Sequence, residues 1–180
     1  MSRFFLWFYC QNLWTATFLV LSGTALLALA CDRFRPKWLL RTVLIGLLTL
    51  WAAAVLYTTL GIRTPSDPKP ACWIPFQSYR NVYHGANPEL LRSNFMNVLL
   101  FFPAGALLAA LVRNTKKQRL LAAFGVILLG LFSFGIELMQ MRYHLGWPEA
   151  DDVVHNLIGA WMGIVVCRFL MNVSAQQSPL

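Results

Sequence analysis

Gly135-Ile136-Glu137-Leu138-Met139-Gln140 closes an apolar run that begins at Leu120, and Asp151-Asp152-Val153-Val154-His155-Asn156 opens the next, which carries Gly159 and Gly163. Each run is about 20 residues, long enough at about 1.5 Å per residue to cross a hydrocarbon core of about 30 Å. Two membrane-length helices therefore meet across a short connection, with carboxylates and amides at the facing ends. An ionised carboxylate at the centre of a membrane helix costs about 2.5–3.5 kcal/mol, and less near an end. A plain anchor has no use for that cost. The groups read as a site turned toward other helices or a water-filled cavity.

Outward from these two runs, three more apolar segments lie at about 12–30, 39–60 and 94–112, making five with 120–140 and 152–171. The chain is 58% hydrophobic and only 12% charged, half the charged share of about 25% usual in globular domains. A soluble helical protein is excluded, because its helices would need polar faces that these segments lack. The expected fold is an all-α integral membrane protein. It forms one domain over 1–180, a compact bundle of about five transmembrane helices with one long outer loop, about 61–93, and a short tail, 172–180. The first apolar run has no convincing small-residue cleavage site up to Ala30, so it reads as a retained helix. Cys10, Cys31 and Cys167 lie in or beside apolar segments and only Cys72 falls in a clear loop, which gives no disulfide framework.

The net charge of +8 does not point to nucleic acid, because the basic residues sit in short connections rather than along one helical face. Arg33, Arg35, Lys37 and Arg41 follow the first segment, and Arg113, Lys116, Lys117 and Arg119 follow the third. With Arg168 this side holds nine basic residues and one acid, Asp32, while the other side holds six of each sign. The positive-inside rule then places the N-terminus outside, the C-terminus in the cytoplasm and the acid-bearing helix ends facing out.

Polar groups sit at one depth on three helices. Glu137 and Gln140 share a face near the outer end of 120–140, and Asp152 and Asn156 share theirs with Gly159 and Gly163. Asp151 and His155 form a neighbouring pair, and Asn97 and Asn94 lie on one face of 94–112 ahead of Pro103. The glycine pair lets another helix approach closely and would carry Asp152 and Asn156 against it, while the short connection lets Glu137 and Asp152 converge. Pro103 removes the donor for the Leu99 carbonyl and favours a kink.

Plainer roles stand beside these. Asp151 or Asp152 is placed to cap its own helix, the glycines to pack, and the asparagines to bond between helices. A metal held by Glu137, Asp152 and His155 lacks any HExxH-type spacing. The loop at 61–93 is broken by Pro65, Pro68, Pro70 and Pro75 and carries the wedge Trp73-Ile74-Pro75-Phe76, so it reads as a lid or an ordered cap. Arg80 from this loop, and Arg92 and Arg142 nearby, are the cations available to pair with carboxylates or meet an anionic ligand.

Asn97-Val98-Leu99-Leu100-Phe101-Phe102-Pro103-Ala104-Gly105, then Ile136-Glu137-Leu138-Met139-Gln140, then Asp152-Val153-Val154-His155-Asn156-Leu157-Ile158-Gly159 resemble the VanZ-like membrane proteins. The Ile74-Pro75-Phe76 wedge resembles them too, and the likeness covers roughly 72–168. One departure stands out. Members often carry an arginine about ten residues before the asparagine matching Asn156, where this chain has Gly146, and Arg142 is the nearest replacement.

The resemblance implies a link to resistance against teicoplanin, a lipid-bearing glycopeptide, without altered wall precursors. The expectation is a multi-pass protein of the bacterial plasma membrane whose outward site takes an envelope amphiphile, such as a lipid-linked wall precursor or the antibiotic. Glu137, Asp152 and Asn156 would form its reactive core, and Asn97, Gln140, Arg80, Arg142 and Asp151 its binding groups. A buried carboxylate could serve as general acid or base. A non-enzymatic accessory or binding protein is the alternative. A transporter fits poorly, since no inverted repeat or matched pair of broken helices is visible. Nothing in the sequence names a cofactor or fixes the oligomeric state.

Overall fold

The structure is a computed structural model that describes residues 36–176 apart from Pro88 and Asn114, together with Leu19, 23–27 and Ala30. The expected helix over about 12–30 falls largely outside the described residues, as does the end of the tail, 177–180. Five helices follow in order: α1 (Lys37–Leu56), α2 (Gln77–Tyr83), α3 (Glu89–Val112), α4 (Gln118–Tyr143) and α5 (Ala150–Gln176). Four of them are long and apolar enough to cross a membrane among the described residues: α1 with its continuation to Gly61, α3, α4 and α5. The expected tail is shorter, because α5 continues to Gln176.

Local chemistry sets the boundaries. Pro36 precedes α1 in an extended conformation, where its missing N–H costs nothing. Beyond Leu56, α1 winds into a π-helical turn, Tyr57–Gly61, closed by Ile62 N–H on the Tyr57 carbonyl at 3.0 Å. Asn87 Oδ1 accepts the Glu89 N–H at 3.0 Å and so caps α3. At the far end of α4, His144 takes the left-handed conformation (φ 54°) and Leu145 N–H returns to the Gln140 carbonyl at 2.9 Å.

Glycine decides how the long helices pack. The space that a Cβ would need at Gly159, Gly163 and Gly105 is filled by the carbonyls of Val98, Phe102 and Ala160 respectively. Backbone therefore lies on backbone between α3 and α5, the most extensively packed pair, as small-residue stripes allow in membranes. α3 runs without a break through Pro103, and Trp51 Nε1 of α1 donates to the Leu100 carbonyl beside it at 2.8 Å.

Two apolar clusters fill the bundle. One, around Leu44, Ala106, Ala110, Ile164 and Met171, lies toward the basic end. The other, Val55, Phe101, Ile136 and Ala160 with Trp51 and Phe132, lies toward the opposite end and forms the base of the polar layer.

The expected outer loop proves shorter and more ordered: it ends where α3 begins at Glu89, and it contains α2. It is stitched across the α4–α5 turn as a strap. Ser66 N–H bonds the His144 carbonyl at 2.9 Å, Cys72 N–H the Pro148 carbonyl at 2.9 Å, and Ala150 N–H the Cys72 carbonyl at 2.8 Å.

Candidate functional site

The strap and the ends of α3, α4 and α5 enclose a polar layer over the second apolar cluster. Glu137, Gln140, Asp151, His155, Asn156 and Asn94 are all buried, and Asp152 and Asn97 are half-buried. The layer divides into a braced part and a less satisfied part.

Asp151 is the centre of the braced part. Its carboxylate accepts the N–H groups of Phe76 and Ser78 and the Ser78 hydroxyl. Ser78 Oγ in turn accepts from Asn94 Nδ2 at 2.7 Å. The expectation that Asp151 caps its own helix is corrected: its carboxylate serves the first turn of α2, whose N–H groups have no partner within that helix. Phe76, held in the left-handed region at φ 63°, is an uncommon conformation for a bulky residue, and its N–H is one of the groups Asp151 accepts. His155 completes the brace. Its Nδ1 lies against the Asp151 carbonyl at 2.5 Å and its Nε2 against the Tyr79 hydroxyl at 2.8 Å. A carbonyl only accepts, so Nδ1 carries the proton and Nε2 takes the tyrosine hydrogen.

Glu137 and Asp152 occupy the second part, close enough to act on each other electrostatically. Glu137 Oε2 accepts the Glu149 N–H at 3.0 Å. Arg63, exposed at the rim, is the positive charge within electrostatic reach of both carboxylates, with no ion pair to either among the described residues. Its Nη1 donates to the Leu145 carbonyl at 3.3 Å and lies 2.6 Å from where a Gly146 Cβ would stand. The guanidinium thus occupies the notch that glycine leaves at position 146. The suggestion that Arg142 fills this role is corrected. Arg142 is exposed and its guanidinium lies 5.8 Å from the Tyr143 ring. Arg80, also exposed, makes no ion pair among the described residues.

Around the carboxylates, polar atoms stay unsatisfied. Asn156 Nδ2 donates to Ser133 Oγ at 2.8 Å, yet its Oδ1 is buried without a hydrogen-bond partner among the described residues. Gln140 Nε2 reaches the Thr59 carbonyl at the end of α1 at 3.5 Å, and its Oε1 is likewise unpartnered. Asn97, half-buried, lies beside the Asp152 carboxylate. Outside the spanning helices, burial pushes the Glu149 carboxyl above its ordinary range, and the charges of Asp152 and Asp151 push it further. Among the described residues, no three His, Cys, Asp or Glu side chains gather as metal ligands, and His155 is engaged by Tyr79 instead.

Sequence reasoning missed Arg63, Glu149 and the Ser78–Tyr79 pair. Arg63 stands 74 positions before Glu137 in the chain, and no local spacing announces their meeting. Ser78 and Tyr79 stand two and three residues past the end of the wedge, and that proximity was the available signal.

Fold and site define a helical membrane protein with a strapped, carboxylate-bearing polar layer at one end of its bundle. The VanZ/LLP1 family matches residues 38–171, and the chain belongs to that family. No curated protein and no solved structure matches the chain.

Proposed function

We propose that this protein lies in the bacterial plasma membrane with its strapped end outward, and that the polar layer there acts on an amphiphile of the cell envelope, giving protection against teicoplanin-type lipoglycopeptides. One observation carries the reading: Glu137 and Asp152 lie within electrostatic reach of Arg63, and on the same two helices Gln140 Oε1 and Asn156 Oδ1 are buried without partners among the described residues. Buried polar groups in native proteins are nearly all satisfied, and groups left over suit a ligand or water that completes them. Membrane-buried carboxylates near a cation at a helix end fit substrate handling better than anchoring. The charge asymmetry supports the orientation, since among the described residues Lys37, Arg41, Arg113, Lys116, Lys117, Arg119 and Arg168 gather at the opposite end.

A second reading, an accessory protein whose polar groups only hold the bundle, draws on the braced network of Asp151, Ser78, Asn94 and His155. Susceptibility separates the two. A sensitive Gram-positive host expressing wild type, Glu137→Gln or Asp152→Asn at matched membrane levels is challenged with teicoplanin and with vancomycin. The site reading expects protection against teicoplanin alone, returning to the empty-vector level in both variants. Protection that survives both substitutions would favour the accessory role, and none from the wild type would sink the antibiotic assignment.

A further inference from the structure

Next to the carboxylate pair, between the strap and the α4–α5 turn, lies a second cavity of about 270 Å³, lined among others by Trp73, Trp147, Gln77, Asn81 and Glu149. Its lining is largely apolar, and Glu149 brings its carboxylate. The Gln77 amide nitrogen is taken up by Asn81 Oδ1 at 2.8 Å. No lysine or arginine lines the space. The two indoles add electron-rich faces, and Trp147 already attracts an ammonium, with Lys69 Nζ 5.5 Å from its ring centroid.

The complement of such a wall is a compact, positively charged group with several N–H donors. An anion would meet Glu149, with Asp151 and Asp152 close behind, and no balancing cation in the lining. A hydrocarbon tail would desolvate Glu149, which is unfavourable. The repulsion that Asp152 and Asp151 exert on Glu149 is what a bound ammonium offsets.

We propose that this cavity binds a primary ammonium group, seated against Glu149 and beside the indoles of Trp73 and Trp147. The group belongs to a lipid headgroup or to a free amine. The cavity is distinct from the carboxylate pair, and its test reads binding alone, so it stands or falls apart from the antibiotic reading.

Full-length protein in detergent is analysed in two arms. Native mass spectrometry compares retention of dioleoylphosphatidylethanolamine with dioleoylphosphatidylglycerol. Saturation-transfer NMR compares ethanolamine with glycerol. Severalfold preference for the amine in the first arm assigns a lipid headgroup, and in the second a free amine. Either preference is lost in Glu149→Gln, which keeps the backbone N–H bonded to Glu137, and weakened in Trp147→Leu. Thermal unfolding of both variants near wild type confirms that the fold is intact. Lys69→Ala retains the preference, whereas its loss there would seat the ligand on Lys69 and overturn the proposal. Equal binding of amine and control in both arms, or a preference that Glu149→Gln leaves untouched, also overturns it.

Discussion

At Gly146 a side chain has nowhere to go, because Arg63 Nη1 stands 2.6 Å from the position its Cβ would take. Two positions 83 residues apart in the chain thus share one space, and the charge placed there lies within electrostatic reach of Glu137 and Asp152. Gly146→Arg alone crowds two guanidinium groups into the notch, and Arg63→Ala alone leaves the carboxylates without their nearby cation. The double variant Arg63→Ala with Gly146→Arg returns a single cation to the notch from the other strand. Thermal unfolding in detergent is expected to show both single variants below wild type and the double variant above Gly146→Arg, with which it shares the backbone strain of a side chain at φ 159°. A double variant no more stable than Gly146→Arg would refute a shared seat. The carboxylates and amides were legible in the sequence because helical spacing puts them on faces. Arg63 was not, since its partners come from helices that sequence spacing does not connect.

Among the elements, α3 and α5 carry the tightest demand. Gly159 meets the Val98 carbonyl and Gly163 the Phe102 carbonyl with no room for a Cβ, so spreading the pair is the only relief. Overpacking of this kind costs about 1–3 kcal/mol, occasionally more. Gly159→Val is expected to lower the unfolding midpoint and to weaken the polar layer, because Asn156 and Asp152 stand one and two turns above it on α5. Gly135→Ala, where nothing lies within 4 Å of an added Cβ, is the matched control and leaves the midpoint near wild type. A Gly159→Val protein as stable as that control would contradict the close approach. Membrane-length runs showed the four described spanning helices plainly in the sequence. The short helix α2 was hidden by the prolines ahead of it and by the strap's irregular course, whose order rests on distant bonds to Asp151, His144 and Pro148.

At the scale of the whole molecule, charge and polarity run in opposite directions along the bundle. The strap and the acids gather at one end, and Lys37, Arg41, Arg113, Lys116 and Lys117 at the other. Single cysteines at exposed Thr64 and Lys116 in a cysteine-free background test the orientation. A membrane-impermeant maleimide applied to intact cells is expected to label Thr64→Cys and spare Lys116→Cys, and the reverse pattern would invert the proposed topology. The strap also has a history written into it. Ribosomes deliver chains from the N-terminus, so Phe76 and Ser78 are synthesised before Asp151. For that interval the left-handed bend at Phe76 has no carboxylate to hold it, and the α2 turn lacks its cap. The polar layer therefore cannot exist while the protein is being built. It forms last, at the moment α5 inserts and brings Asp151 beneath a waiting strap, so assembly of the site doubles as a report that the final helix has arrived.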